Sequence, residues 1–431
     1  MDEKLESIGV RIPKILLPKK EIDLKKWSVV ACDQYTSEPE YWEKVKDFVG
    51  DLPSTFNIIY PEVYLEENEN KKQERIENIN KNMKNYLENV LEEKQGFVYL
   101  ERTVNGKTRK GLMVCIDLER YDYNKGSQSL IRATEGTVLE RLPPRIEVRK
   151  DAPLELPHIM VLIDDPERTV IEPLSDKKKE KIYDFELMMG GGDLKGYAVD
   201  GEQIIDALFS LADKGTFTEK YSLEKSVEVL LFAMGDGNHS LATAKAIWEE
   251  AKKQGKTDGL ERYALVELVN VHDEALEFEP IHRVVFNIQK PILEEMKEYF
   301  GDDFHYEKCS KEHMIQMVEK GSADHLIGFI ESGEFGMIKI TNPANNLAVG
   351  TLQEFLDKFV KEHAEKIDYV HGSKPTCDLG AKQGNCGFYL PSMKKSDLFK
   401  TVILDGALPR KTFSMGEAEE KRFYLECRKI K

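Results

Sequence analysis

Apolar positions along this chain repeat with two different periods, and the period changes several times. Between residues 67 and 93, Ile76, Ile79, Met83, Tyr86, Leu87, Val90 and Leu91 recur mostly three or four positions apart among charged residues. That spacing predicts a long amphipathic helix with one buried stripe. GFVYLERTV and KTRKGLMVCIDLE then flank Asn105-Gly106, two β-rich runs around a turn pair, which predicts a hairpin. Residues 27–31 read as a buried strand, 33–39 as a polar loop and the stretch from Glu40 as a helix. LPHIMVLIDD and TVIEPL predict further strands, and QSLIRA and RIEVRK, on either side of a polar turn, are strand-like as well. Helical segments are expected across 177–225, broken by a bend or lid at MMGGGD, and again across 290–325. HLIGFIESGEFGMIKI predicts a second hairpin, LQEFLDKFVKEHAEKI a helix, and LFKTVIL a strand-like run. The mixture describes an α+β protein with a mixed sheet packed against helices. Without a repeat or Pro-rich linker, the best boundary lies near 286–291, dividing an N-terminal α/β region, 1–288, from a C-terminal α/β lobe, 289–431.

The stretch that invites chemistry is VEVLLFAMGDGNHSLATAKAIWEEAKKQ, residues 227–254. Its apolar run predicts a strand over 228–234. Leu241, Ala244, Ile247, Trp248 and Ala251 then repeat as the buried face of a helix. Between them stand Asp236, Gly237, Asn238, His239 and Ser240, at a strand's carboxyl end and a helix's amino end. There the first-turn N–H groups lack intrahelical acceptors and the helix dipole favours negative charge. Gly237 permits a positive φ and close approach of a ligand. Capping by Asp236 or Asn238 explains one polar residue but not four. The cluster could hold a phosphate, place a divalent cation at Asp236 or use His239 in proton transfer, and the residues alone leave these open.

Composition narrows the field. Hydrophobic residues make up 41% and charged residues 32% of 431, as in a folded globular protein. The formal net charge of −16 disfavours a nucleic-acid partner. No run of about 18 apolar residues suggests a membrane span, and the acidic N-terminus has no signal-like apolar region, so a cytoplasmic location is expected. The six cysteines form no CxxC pair, which argues for a reduced interior rather than a zinc site or disulfide framework. A GxSxG elbow and a dinucleotide fingerprint are both missing.

MGDGNHSLATA resembles the ADGHHRYETA signature of the domain of unknown function 1015 family. IRATEGTVLERLPPRIEVRKDAPLELPHIMVLIDD, LVNVHDEALEFEPIHRVV and ALPRKTFS are similar to further segments of that family, in order. VVACDQYTSEPEYW stands where the family usually has PPYDVI, so the resemblance spans almost the whole chain. The family's signature is similar to that of the ParB/sulfiredoxin-like superfamily, which includes nucleotide-dependent free-serine kinases, and the family tends to be encoded near serine-biosynthesis genes. The resemblance implies a ParB/sulfiredoxin-like core with large insertions, with Asp236 and His239 on signature positions. Asn238 and Ser240 depart from it, replacing a His and an Arg, and Thr134 replaces the His of an HExT element that Glu135 continues. A Ser hydroxyl cannot make the bidentate phosphate contact of an Arg, so another cation such as Arg132, Arg283, Lys245 or Lys411, or a metal, would have to supply charge.

With the resemblance added, the expected function is a nucleotide-dependent phosphotransferase acting on a small hydroxyl metabolite, with serine as candidate acceptor and ATP or ADP with Mg²⁺ as cofactor. Asp236, His239 and Glu135 are the candidate catalytic residues, with Asp236 also the metal ligand. Gly237, Asn238, Ser240, Arg132, His282, Arg283, Lys411 and Asp33 are the candidate binding residues. The alternatives are a phosphomonoesterase acting on a compound such as phosphoserine and a non-catalytic nucleotide or small-molecule sensor.

Overall fold

The structure, a computed structural model, describes residues 2–137, 139–224, 226–416 and 418–431. The chain forms two compact units, one built from residues 1–276 and 416–431, the other from 277–415. The expected boundary at 288/289 is thus corrected in two ways. The first unit ends before the strand carrying His282 and Arg283, and the last residues of the chain return to it.

The first unit holds a ten-stranded mixed sheet. Its principal strands are β1 (Phe97–Val104), β2 (Lys107–Asp117), β3 (Tyr121–Asp122), β4 (Ile131–Arg132), β5 (Met160–Ile163), β6 (Lys181–Glu186), β7 (Asp193–Val199), β8 (Phe232–Asp236) and β9 (Tyr263–Asn270). They lie in the order β6-β7-β1-β2-β9-β5-β8-β4-β3. Both faces are covered. Along β1 and β2, Val98, Leu100, Met113 and Cys115 enter one core, whereas Phe97, Tyr99, Leu112, Val114 and Ile116 enter the other. Successive side chains alternate between faces, so a strand buried on both sides reads as a continuous apolar run. Helices α1 (Pro39–Val49) and α2 (Glu69–Asn89) pack into the first core through Trp42, Val45, Ile79 and Met83. A third helix, α3 (Leu142–Arg149), precedes β5, and α4 (Asn238–Lys253) packs Leu241, Ala244 and Trp248 into the second core.

The second unit is a seven-stranded sheet. Its strands include β10 (Phe278–Phe286), β11 (Phe304–Lys308), β12 (His325–Glu331), β13 (Glu334–Ile340), β14 (Lys366–His371) and β15 (Cys386–Tyr389), in the order β11-β13-β12-β15-β10-β14. Helices α5 (Ile292–Phe300), α6 (Lys311–Lys320), α7 (Ala348–His363) and α8 (Lys395–Leu404) accompany it.

Several expectations change. Residues 27–31 are not a strand: Trp27 ends a short helix, Leu24–Trp27, and Val30 pairs with Phe423 in an isolated bridge. TVIEPL runs into a 3-10 turn, Glu172–Asp176, while RIEVRK and LFKTVIL are helical. MMGGGD links the antiparallel pair β6 and β7 in a stretch expected to be helical. Gly192 is needed there, since φ is +77° and a Cβ would lie 2.0 Å from the Thr103 carbonyl oxygen.

Candidate functional site

The Asp236 turn closes as its sequence suggests, with one difference. Strand β8 ends at Asp236, α4 starts at Asn238, and Gly237 forms the N-cap with φ +80°. No side chain caps the helix; the Asp236 carboxylate instead accepts the Gly237 N–H at 2.9 Å. The amino end of α4 therefore keeps its anion-attracting character. A Cβ on Gly237 would stand 3.1 Å from Ile159, so the turn is pressed against the chain entering β5. Because β5 and β8 are antiparallel, with Asp236 opposite Met160, that chain brings His158 to the same edge.

His158 organises the site. Its Nε2 lies 3.0 Å from Ser240 Oγ and 3.9 Å from Asp33 Oδ2, and its Nδ1 lies 2.8 Å from the Tyr424 hydroxyl. That hydroxyl also accepts the Cys32 N–H at 3.2 Å. Nε2 thus faces Asp33 and Ser240. Lys421 places Nζ 3.1 Å from Asp236 Oδ2. Burial would lift the Asp33 carboxyl; the His158 ring, the Gln34 amide and Lys421 outweigh it and hold Asp33 below its ordinary value. Glu62, beside the Arg145 guanidinium, is raised by burial. Burial, aided by Asp33, pushes the Cys32 thiol up to about 12, which removes a thiolate from consideration. The Asn238 side-chain oxygen is shielded from solvent and has no hydrogen-bond partner among the described residues. It is an acceptor that a ligand hydroxyl would satisfy.

Of the residues expected from sequence, Asp33, Asp236, Gly237, Asn238 and Ser240 share this site. His239 sits half-buried in the first turn of α4. Glu135 follows Thr134, whose hydroxyl donates to the Met234 carbonyl at 2.8 Å, so it adjoins β8. Arg132 keeps Nη1 without a hydrogen-bond partner among the described residues. Its buried guanidinium donates to the carbonyls of Ser129 and Glu228, ahead of the strands they precede, and burial lowers it to about 10. His282, Arg283 and Lys411 belong to the second unit. Arg283 is fully buried and donates to Gln353, the Ile281 carbonyl and the Arg410 carbonyl. His282 Nδ1 accepts the Leu390 N–H at 3.0 Å. Lys411 is exposed in a turn with φ +54°. No three His, Cys, Asp or Glu side chains gather as metal ligands among the described residues, and Asp236 is paired with Lys421.

His158, Tyr424 and Lys421 were missed. His158 had a signal, since it immediately precedes an apolar run that could pair antiparallel with the run ending at Asp236. Lys421 and Tyr424 had none. They arrive on the returning C-terminal segment, held by bonds from the Ala31 N–H to the Arg422 carbonyl at 2.9 Å and from the Tyr424 N–H to the Val29 carbonyl at 2.8 Å.

Residues 16–359 match the family described as "Protein of unknown function (DUF1015)". The chain belongs to that family. The segment supplying Lys421 and Tyr424 lies beyond the residues matched to DUF1015. No curated protein matches the sequence. Solved structures similar to this DUF1015 chain include a free serine kinase in complex with AMP, at 13% identity and TM-score 0.38, covering 74% of this chain and 91% of the other. A mutant free serine kinase in complex with ADP has 12% identity and TM-score 0.38, covering 77% and 95%. A conserved hypothetical protein from Pyrococcus furiosus has 12% identity and TM-score 0.34, covering 70% and 90%. Among the described residues no helix is long and apolar enough to cross a membrane.

Proposed function

We propose that this protein transfers a phosphoryl group from a nucleotide to a small hydroxyl compound at the Asp33–His158–Asp236–Lys421 cluster. The observation that carries the reading is a cation and an uncapped helix terminus set beside a carboxylate–imidazole pair. Lys421 and the first-turn amides of α4 suit phosphoryl oxygens. Asp33, kept ionised, is placed to take the acceptor's hydroxyl proton as the new O–P bond forms and the bond to the departing nucleotide breaks. His158 and Ser240 orient the acceptor, and Asp236 holds the lysine. Asp33 thereby takes the base role expected of Glu135. The nucleotide as donor, and serine as one acceptor to try, rest on the motif resemblance. Charge is handled by Lys421 and no step is assigned to a protein-bound metal.

The test is phosphate transfer from ATP or ADP, supplied with Mg²⁺, to serine and a panel of simple alcohols. Asp33→Asn is expected to lower kcat by about 100-fold or more, and Lys421→Met to raise KM for the nucleotide, both with melting temperatures near that of the parent. No transfer with either nucleotide to any acceptor overturns the reading. Phosphate release from phosphoserine without nucleotide replaces it with a phosphomonoesterase.

A further inference from the structure

Behind His158 lies a cavity of about 150 Å³ within the first unit. His158, Ser240 and Tyr424 form part of its wall, and Ile58, Ile59, Met83, Val148, Leu156 and Ile159 are among its apolar lining. A dry cavity of about this volume lined by aliphatic and aromatic side chains accommodates a benzene ring in another protein, and a nucleotide is far larger. A whole nucleotide does not fit within that volume.

The charged residues on the cavity wall are already matched. Arg145 pairs with Glu62, and Arg149 pairs with Glu155 at 2.5 Å. Glu155 also accepts from Arg428 at 2.6 Å. The guanidinium groups and carboxylates that line the space stand in pairs already made, so a charged group entering it would lose water and compete with an existing ion pair. A neutral molecule with one hydroxyl meets no such penalty, because its polar end can reach His158 and Ser240 while its body stays among the aliphatic side chains.

Building on the phosphotransfer reading, we propose that the acceptor is an uncharged alcohol with a compact apolar body, and not an amino acid. The body fills the cavity and the hydroxyl points to the His158–Ser240 wall, within reach of Asp33. The site then selects by shape and by rejecting charge.

Benzyl alcohol and L-serine, each titrated into the full-length protein, separate the possibilities, with melting temperature and NMR shifts as readouts. The expected result is saturable binding of benzyl alcohol, weakened at least tenfold by Val148→Trp or, should that variant fold poorly, by Ala152→Leu, and no saturable binding of serine. With nucleotide present, benzyl alcohol should be phosphorylated. Binding of serine and not of benzyl alcohol overturns the inference and leaves phosphotransfer standing, as does phosphorylation of serine alone. Equal binding of benzyl alcohol to the parent and both filled variants also overturns it, because the ligand is then elsewhere. Benzyl alcohol binding at the cavity without transfer to any hydroxyl compound overturns the proposed function and the acceptor assignment together.

Discussion

Gly237 shows how closely one residue can be constrained. Its φ of +80° lies where only glycine is at ease, and Ile159 stands 3.1 Å from where a Cβ would be. Gly237→Ala should cost about 1–2 kcal/mol from backbone conformation alone, more if Ile159 cannot yield, and should shift His158 away from Ser240. A urea melt paired with the NMR shifts of the His158 ring would check both. A loss well under 1 kcal/mol would mean that the turn relaxes freely. The turn at Asp236 and Ser240 was legible in the sequence because polar residues at the end of an apolar run stand where a strand of the sheet gives way to the next element, whereas Asp33 was reached through a strand at 27–31 that is not there. Arg283 was misread for the converse reason. A charge inside an apolar run can be buried when acceptors surround it, and Gln353 and two carbonyls do so here.

Elements with one dominant period were the easiest to foresee. Both hairpins and α2 and α4 stand close to where the spacing put them. LFKTVIL failed because a short apolar run rich in β-branched residues suits a buried helix as well as a strand, and only packing within the second unit made it α8. In that unit, β10 carries a titration of its own. Burial, reinforced by Arg283 and His371, lowers the His282 imidazole to about 4 from its ordinary 6.5. Between those values the unfolded chain binds a proton that the folded chain refuses. Stability is therefore complete above pH 6.5 and falls as the pH drops towards 4, by about 3 kcal/mol. His282→Asn, which can still accept the Leu390 N–H, should flatten that part of the stability–pH curve. An unchanged slope in denaturant titrations at pH 4.5 and 7 would assign the effect to other groups.

Across the whole molecule, the decisive feature is the return of residues 416–431. Arg422 threads into the first unit and donates to Glu267 at 2.6 Å, to Glu426 at 2.5 Å and to the Pro157 carbonyl at 2.9 Å. Glu267 and Glu426 are fully buried, and Tyr183 donates to Glu426 at 2.5 Å. Arg109 adds a second guanidinium at Glu267. Arg422→Met strands buried carboxylates and should destabilise by about 3–5 kcal/mol, with loss of phosphotransfer, since Lys421 and Tyr424 flank it. Unfolding by urea with an unchanged midpoint would show that the network relaxes around the gap.

Local pattern was enough to establish an α+β chain, the strand–turn–helix at Asp236 and the polar character of Asp33's loop, because periodicity and turn chemistry act over a few residues. It could not establish that Lys421 and Tyr424 meet Asp236 and His158, that Arg283 is an interior cation, or that a small charge-matched cavity lies behind the turn. Those depend on which distant segments share a sheet edge and which charges lose their water together, and neither is encoded in the spacing of any one stretch.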